Sequence, residues 1–369
     1  MTELKNVARY VTDKIDVALL NTPEYITTDN MIPNRGGVTE CDSLPQAVRV
    51  TRYAPGDTLV SNIRPYFKKI WYADRVSGCS NDVIVFRPIN ENWDHKFLYY
   101  VLSQDAFFDH MMSGANGTKM PRGNKKTIPD FLVPDFDYEK QTRISETLSA
   151  YDDLIENNQK QIKLLEEAAQ RLYKEWFVDL RFPGYEDTPI VDGVPEGWER
   201  LPVGELIEKI SRTTQIMASE YGKEGPIPII DQSREFIAGY TDNHASLVNV
   251  GKPVIVFGDH TRILKYIQFP FAKGADGTQL IVSNTDRMPQ SLFYCSLVGV
   301  DLSNYHYARH FKYLKAEELL VPTQVIAEAF DRFVSPMFSK IQRLRDINKA
   351  ATNARDRLLP KLMSGEIEV

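Results

Sequence analysis

The stretch that decides the fold is ISETLSAYDDLIENNQKQIKLLEEAAQRLYKEWF, which runs from residue 144 to residue 177. Its seam residues recur at alternating intervals of four and three, the heptad pattern of a helix that packs lengthwise against another helix. The seam positions are Ile144, Leu148, Tyr151, Ile155, Asn158, Ile162, Leu165, Ala169, Leu172 and Trp176. Asn158 places a polar amide in the middle of this seam. The stretch therefore predicts one long helix that has a helical partner.

The same pattern returns near the other end of the chain, in IAEAFDRFVSPMFSKIQRLRDINKAATNARDRLL, residues 326–359. Its seam positions are those of the first stretch plus 182, namely Ile326, Phe330, Phe333, Met337, Lys340, Leu344, Ile347, Ala351, Ala354 and Leu358. Upstream, FLVP (131–134) matches LLVP (319–322). A constant offset over a whole helix indicates an internal duplication.

Each long helix follows a region rich in β-branched and aromatic residues. DTLVSNI, KKIWYA and DVIVFRP in the first region, and PVIVFGD, RILKYIQF and GTQLIV in the second, are typical of strands separated by turns. We predict an α+β fold with a pseudo-twofold duplication, in which two globules are each followed by a long helix and the helices pair as an antiparallel coiled coil. The predicted segments are 1–137 (first globule), 138–182 (first helix), 183–322 (second globule) and 323–369 (second helix).

Three residues bear on how the helices are arranged. Pro336 lies inside the second heptad stretch and predicts a kink or a later helix start. Asn158 corresponds to Lys340, so both copies carry a polar residue at the same seam position. A slipped or parallel pairing would strand these groups against apolar neighbours, and we therefore hypothesise that Asn158 and Lys340 help to fix orientation and register.

The composition is that of a globular protein, with 43% hydrophobic and 25% charged residues. The N-terminus is polar and charged, and no apolar run approaches the roughly 20 residues of a membrane span. The three cysteines lie far apart, without the close pairs of zinc or redox sites. His306 and His310 are four residues apart but have no third ligand at a recognisable spacing, so we predict no metal. These features favour a cytoplasmic protein without a membrane partner.

The sequence lacks the common catalytic motifs for nucleotide and DNA chemistry. It contains no Pro-Pro pair for an adenine methyltransferase motif, no Walker A loop for ATP and no GxGxxG loop for a dinucleotide. Acid and base are segregated, since KMPRGNKK (119–126) has four cations and no acid. We predict a binding protein with no catalytic residues.

The duplicated plan resembles the specificity subunit of Type I restriction-modification enzymes. The motifs that carry the resemblance are YITTDNMIPNRGGV (25–38), PGDTLVSNIRPYFKKIW (55–71), CSNDVIVFRP (79–88), VPEGWERLPVGEL (194–206), VIVFGDHTRILKY (254–266), FAKGADGTQLI (271–281) and the ending RLLPKLMSGEIE. SNIRPY has no recognisable copy in the second half, where GDHTRIL stands in its place. We therefore expect two globules of one fold that read different sequences.

The resemblance implies a set of partners and cofactors. Each globule would be a target recognition domain that reads one half of a bipartite, asymmetric site in double-stranded DNA. Two methyltransferase subunits would dock on the helices, and restriction or translocase subunits would join that core. S-adenosylmethionine and ATP would belong to these partners, and this chain would hold no cofactor.

Basic side chains supply most DNA affinity, and a few polar side chains read base edges. The predicted phosphate contacts are Lys119, Arg122, Lys125, Lys126, Lys265, Lys273, Arg309 and Lys312. The predicted base contacts are Asn34, Arg35, Asn62, Arg64, Lys68, Lys69, His260 and Arg262. Arg grips guanine and Asn grips adenine with paired hydrogen bonds. Solvated surface cations are the alternative for each phosphate contact, and a buried ion pair is the alternative for Arg64.

Two other functions remain open at this level. One is a nuclease or methyltransferase with an unrecognised site. The other is a structural adaptor whose coiled coil dimerises and whose globules bind proteins. Cleavage or methyl transfer by the chain alone would support the first, and failure to bind DNA with a methyltransferase partner would support the second.

Overall fold

The computed structural model of the protein describes residues 1–117, 119–305 and 309–369. They form two compact units. The first unit comprises Met1–Glu156 with Asn348–Val369, and the second comprises Asn157–Ile347. Each unit therefore holds one globule together with a segment of each long helix.

In the first unit, antiparallel strands form two small sheets and an isolated pair. The strands β1 to β9 are Thr2–Glu3, Ala8–Tyr10, Lys14–Asp16, Arg49–Tyr53, Thr58–Ser61, Ile70–Tyr72, Ser77–Cys79, Val83–Pro88 and Leu132–Val133. The sheet orders are β2-β8-β5-β6 and β3-β4-β7, and β1 pairs with β9. Helices α1 (His95–Ser103) and α2 (Asp105–Ser113) follow the sheets. Asp94 begins α1 because its carboxylate accepts the N–H of Phe97 (2.6 Å) and so caps the helix.

The second unit repeats part of this topology. Its strands β10 to β20 are Ile190–Val191, Val194–Pro195, Glu199–Pro202, Ile227–Ile230, Gly239–Thr241, Leu247–Val248, Val254–Gly258, Leu264–Ile267, Phe271–Lys273, Thr278–Ile281 and Glu318–Val321. The sheet order β17-β16-β19 matches β6-β5-β8, and the pair β12-β20 matches β1-β9. The other sheet, β14-β13-β18-β15, differs from the antiparallel β3-β4-β7, because its strands β13 and β18 are parallel. Helices α4 (Gln290–Val298) and α5 (His310–Leu314) occupy the places of α1 and α2. The repeated strand order confirms the duplication predicted from the helices.

The long helices are α3 (Tyr138–Tyr173) and α6 (Gln324–Ser364). A π-helical turn, Lys174–Val178, continues α3. Helix α6 runs through Pro336 without interruption, so the predicted late start is wrong. None of the helices in the described ranges combines the length and apolar content that a bilayer-spanning helix needs.

Within each unit the two helix segments run antiparallel. In the first unit, Arg355 Nη1 donates to Asp152 Oδ1 (2.5 Å), and the Tyr100 hydroxyl of α1 donates to the other oxygen of Asp152 (2.6 Å). In the second, Arg345 Nη2 donates to Glu166 Oε1 (2.9 Å). Burial opposes the charge of Arg355, but the attraction of Asp152 outweighs it and raises the pKa of the guanidinium. These ion pairs join the helices to each other and, through Tyr100, to the globule.

The predicted seam is correct for α3 and only in part for α6. Ile144, Leu148 and Asn158 are buried as predicted. In α6, Phe333 is 58% exposed and Ile347 is 44% exposed, whereas Val334, Phe338 and Ile341 are buried. Lys340 is exposed, so its predicted place in the seam is wrong.

The shift in α6 has a physical cause in the second unit. Phe338 packs against the rings of Tyr266 and Tyr294, at centroid distances of 4.6 and 5.4 Å, so this face of the helix is covered by the globule as well as by α3. A helix that serves two partners buries a wider stripe than a two-helix seam. Asn158, 3% exposed, remains a register candidate, but Lys340 does not share that role.

A buried ion pair stabilises the sheet of the first unit, and its removal is expected to be costly. Asp57 is fully buried and accepts two hydrogen bonds from Arg87, at 2.6 and 2.7 Å, and one from the Ala54 N–H (2.8 Å). Asp57→Ala should lower the free energy of unfolding of this unit by roughly 3–5 kcal/mol, because it strands the guanidinium. Urea denaturation measures the change.

Asp13 supplies a matched control for this prediction. Its carboxylate is 49% exposed and lies 3.5 Å from Nη1 of the same Arg87. Asp13→Ala should lower the free energy of unfolding by less than about 1 kcal/mol, since exposed pairs contribute little. Equal effects of the two substitutions would contradict the importance of the buried pair.

Candidate nucleic-acid interface

Three loops of the first unit are joined by backbone hydrogen bonds. In the first contact, the N–H groups of Asn34 and Arg35 donate to the carbonyls of Phe67 (2.8 Å) and Lys68 (3.0 Å). In the second, the Arg64 N–H donates to the Pro121 carbonyl (2.8 Å), and the Gly123 N–H donates to the Asn62 carbonyl (3.1 Å). We call the loops 32–36, 62–69 and 119–126 together the first loop platform.

At Gly123, the basic loop 119–126 passes close to loop 62–69, the hairpin loop that joins β5 to β6. A Cβ atom on Gly123 would lie 2.8 Å from Asn62 Oδ1 and 3.0 Å from Met111 Cε. Such contacts are too short for any side chain there without displacement of its neighbours. Glycine therefore lets the two loops meet.

The predicted phosphate contacts of the first half are all exposed on the platform. Lys119, Arg122, Lys125 and Lys126 point into solvent. Arg122 Nη2 lies 3.4 Å from Asp82, and Lys125 Nζ donates to the Asn81 carbonyl (3.2 Å). These weak surface contacts leave the cations available to phosphate.

The platform concentrates left-handed backbone conformations. Asn34, Arg35, Arg64 and Lys68 have φ values of 54°, 62°, 50° and 51°. A side chain other than glycine in this region costs roughly 1–2 kcal/mol, because Cβ crowds the following carbonyl. Such strain tends to accumulate at binding and catalytic sites, where surrounding contacts hold it. All four were predicted base contacts.

Two polar atoms in the hairpin loop are buried without a hydrogen-bond partner in the described part of the chain, Oδ1 of Asn62 and Nε of Arg64. Asn62 is 6% exposed, and its backbone rather than its side chain links the loops. The prediction that Asn62 contacts a base is therefore wrong for this conformation. Arg64 is half-buried and keeps unused hydrogen-bonding capacity.

Several other predicted base contacts hold the platform together. Arg35 donates to the Ser103 carbonyl (2.6 Å) and pairs with Asp105, which also pairs with Lys68 (2.8 Å). Burial opposes ionisation of Asp105, but hydrogen bonds from Lys68 and Arg35 outweigh it and lower the pKa of the carboxyl group. These contacts fix both cations against α2.

Lys69 is also engaged within the first unit. Its ammonium donates to the Thr28 carbonyl (2.6 Å), and burial lowers the pKa of the side chain. Asn34 remains exposed at the tip of its turn. Among the predicted readers of the first half, Asn34 is exposed, and the half-buried Arg64 has no side-chain hydrogen bond or ion pair within the described ranges.

The second unit has a corresponding group of loops, which we call the second loop cluster, residues 231–234, 259–262 and 275–277. Gln232 joins them, because its Oε1 accepts the His260 N–H (3.1 Å) and its Nε2 donates to the Asp276 carbonyl (2.8 Å). His260 and Arg262 are exposed there, and Arg262 has a left-handed backbone with φ of 61°. Arg262 Nη1 donates to the Leu302 carbonyl (3.0 Å).

Helix α5 is anchored on the second loop cluster by Asp259, which is 4% exposed. Its Oδ1 accepts the Phe311 N–H (2.8 Å), and its carbonyl accepts the His310 N–H (2.9 Å). The exposed side chains of Arg309 and Lys312 therefore lie on a segment next to the second loop cluster. The His310 ring nitrogens lie within hydrogen-bond distance of the Asp259 and Tyr305 carbonyls (2.9 and 2.8 Å), and His306 lies outside the described residues.

The remaining two predicted phosphate contacts are less accessible. The Lys265 side chain is 4% exposed and its ammonium donates to the carbonyls of Asp231 (2.9 Å) and Glu235, so the prediction of a phosphate contact is wrong for this conformation. Lys273 is half-buried, and burial, followed by repulsion from Arg212, lowers its pKa. In the described ranges, no group of three His, Cys, Asp or Glu side chains is placed to hold a metal ion.

Two structural residues of these loops escaped the sequence reasoning. Asp105 lies 70 positions from Arg35, and Gln232 lies 44 positions from Asp276. No local motif marks either residue, because each acts through contacts between distant segments. Only the pairing of the loops reveals them.

Comparisons with known proteins agree with this architecture. Residues 45–167 match the family described as Type I restriction modification DNA specificity domain. The MjaIX specificity subunit of Methanocaldococcus jannaschii is 24% identical over 302 residues, 74% of this chain and 69% of that protein. The HindI specificity subunit of Haemophilus influenzae is 22% identical over an alignment covering 99% of this chain and 98% of that protein.

A solved structure shares the fold over nearly the whole length. The S subunit of a Type I restriction-modification system from M. genitalium superposes with a TM-score of 0.59 at 16% identity, covering 98% of this chain and 95% of that one. This likeness shows a shared fold. Residues 45–167 thus match the DNA specificity domain of Type I restriction-modification enzymes, and the chain is similar over most of its length to specificity subunits of these enzymes.

Proposed function

We propose that the chain reads a bipartite, asymmetric site in double-stranded DNA, and that residues 1–137 and 183–322 are its two target recognition domains. The observation that carries this proposal is the placement of strain. Five of the seven non-glycine residues with positive φ in the described ranges are predicted base contacts: Asn34, Arg35, Arg64, Lys68 and Arg262. Strained backbone conformations cluster at binding sites, and exposed cations beside them are suited to phosphate contacts.

The roles of the side chains follow from their exposure. Lys119, Arg122, Lys125 and Lys126 in the first loop platform, and Arg309 and Lys312 beside the second loop cluster, contact phosphates. In the same proposal, Asn34 and Arg64 read one half-site, and His260 and Arg262 read the other. Arg35, Lys68 and Lys69 shape the first platform through their contacts with Asp105 and Thr28.

The catalytic steps belong to partner subunits in this proposal. Two methyltransferase subunits dock on the helical segments 138–182 and 323–369, and restriction or translocase subunits complete the enzyme. The methyltransferase subunits bind S-adenosylmethionine as the methyl donor, and the restriction or translocase subunits use ATP. The assembled enzyme works in the cytoplasm, where the host DNA is.

The test is DNA binding by the full chain with its methyltransferase partner, using a duplex whose site is taken from methylation mapping of the host. Tight binding should require both half-sites, and scrambling either one should reduce the affinity toward the nonspecific level, about 10³-fold or more weaker. Methyl transfer or cleavage by the chain alone would contradict the proposal. Failure of the complex to bind DNA would favour a protein-binding adaptor.

A further inference from the structure

The first loop platform exposes three apolar side chains among its cations. Ile32 is 37% exposed, Tyr66 is 48% exposed and Met120 is 48% exposed. Each belongs to a different loop of the platform, and the loops are joined by the backbone hydrogen bonds described above. Apolar groups in a cationic surface are suited to a ligand that offers both charge and aromatic faces, as DNA does.

Tyr66 lies in a constrained turn. It occupies the centre of a 3₁₀ turn, Pro65–Phe67, whose flanking residues Arg64 and Lys68 both have left-handed backbones. Pro65 restricts the backbone further, and the Lys68 N–H closes the turn on the Pro65 carbonyl (2.8 Å). The centroid of the Tyr66 ring lies 4.7 Å from that of the Phe67 ring, which packs beside it.

The outer part of Tyr66 lacks a partner among the residues that the structure describes. Its hydroxyl makes no hydrogen bond to any residue in the described ranges. The exposed part of the ring contributes little to the stability of the fold. Because the ring is already ordered, it loses little conformational entropy when a ligand binds to it.

We propose that Tyr66 is an apolar DNA contact of the first recognition domain, packing its ring against bases or sugars of the first half-site. This inference rests on the proposed DNA-reading function and adds to it a neutral contact beside the phosphate contacts. The surrounding cations identify the occupant, because Lys119, Arg122, Lys125 and Lys126 are exposed on the loop that pairs with the hairpin of Tyr66. A neutral contact raises affinity without releasing counterions.

The dependence of affinity on salt separates this contact from the ionic ones. The full chain, assembled with its methyltransferase partner, is titrated with the cognate duplex at several salt concentrations. Tyr66→Ala should weaken binding about 10-fold, by analogy with the loss of one base-aromatic contact, and leave the slope of log K against log salt unchanged. Tyr66→Phe should keep most of the affinity, since the ring remains.

Two variants calibrate the measurement. Lys125→Ala should reduce the magnitude of the slope by about 0.9, the value for one lost phosphate contact. Tyr185→Ala removes another exposed tyrosine, 39% exposed, outside the two groups of loops and the two helical segments, and should leave DNA affinity unchanged. Thermal unfolding of each complex checks that the variants fold.

The outcomes distinguish the inference from the function on which it rests. If Lys125→Ala lowers the slope while Tyr66→Ala binds like the unmodified chain, Tyr66 is no DNA contact although the platform is. A smaller slope for Tyr66→Ala would likewise overturn the inference, because it would show that the substitution disturbs the cations. If no variant of the platform changes DNA binding, the proposed function of this globule fails as well.

Discussion

Neutralising Lys119, Arg122, Lys125 and Lys126 together by substitution with Gln is expected to weaken DNA binding about 1000-fold at roughly 0.15 M salt. The slope of log K against log salt should decrease in magnitude by about 3.6, since each phosphate contact contributes about 0.9. The effect is large because all four side chains are exposed on one loop. Within the described ranges, Arg122 alone among them has an ion pair, with Asp82 at 3.4 Å.

Charge rather than shape is the cause assigned to that loss, and a charge-preserving variant tests this. Exchanging the lysines for arginine and Arg122 for lysine keeps four cations on the loop. This variant should retain the slope within about one unit and most of the affinity. Equal loss of affinity in both variants would show that the loop acts through its shape and would contradict the assignment of phosphate contacts.

The second large effect concerns stability. Phe330→Ala should lower the free energy of unfolding of the second unit by about 3–5 kcal/mol, the range for removing a fully buried aromatic ring. Phe330 is 0% exposed, and its ring lies 5.9 Å from Trp176 and 5.1 Å from Phe177, between centroids. The substitution would leave a cavity where α6 meets the end of α3. Calorimetry of the full chain measures the change as a lowered unfolding temperature.

The neighbouring Phe333 provides the control on the same helix. It is 58% exposed although its ring lies 6.2 Å from that of Trp176. Phe333→Ala should cost less than about 1 kcal/mol, because the site is solvated and little cavity forms. If the two substitutions destabilised the protein equally, the burial that separates these phenylalanines would be refuted.

The repeat and the long helices could be predicted because they are properties of spacing. An offset of 182 residues between two heptad stretches needs no knowledge of contacts, and helices α3 and α6 begin at 138 and 324. The face that α6 buries could not be predicted in the same way. It depends on Tyr266 and Tyr294, which lie in a strand and a helix of the second globule and pack on Phe338 rather than on the predicted Met337.

The candidate site was predicted in its location more than in its chemistry. The motifs PNRGG, SNIRPY and KMPRGNKK do meet in one platform through their backbones. The sequence could not reveal that Asn62 is buried there, or that Lys265 donates to the carbonyls of Asp231 and Glu235. The sequence does not distinguish a basic side chain that contacts phosphate from one that donates to a backbone carbonyl, because the surrounding fold determines which contact forms.

In the proposed function, the two globules read different half-sites because their loops differ. Arg64 and Arg262 both follow the central strand of a three-strand arrangement, β5 in one unit and β16 in the other, and both have left-handed backbones. Their contacts differ, since the backbone N–H of Arg64 donates to the Pro121 carbonyl, whereas the guanidinium of Arg262 donates to the Leu302 carbonyl. The same position in a duplicated fold can therefore read different bases.

The most direct test of this account is a selection from duplexes in which both half-sites are randomised, made with the methyltransferase complex of the unmodified chain and of two variants. Arg64→Gly and Arg262→Gly remove each side chain and accept the left-handed backbone without strain. The account predicts that Arg64→Gly relaxes the selected sequence in one half-site only and that Arg262→Gly relaxes it in the other only. Relaxation of both halves by either variant, or of neither half by both, would contradict the claim that each globule reads its own half of the site.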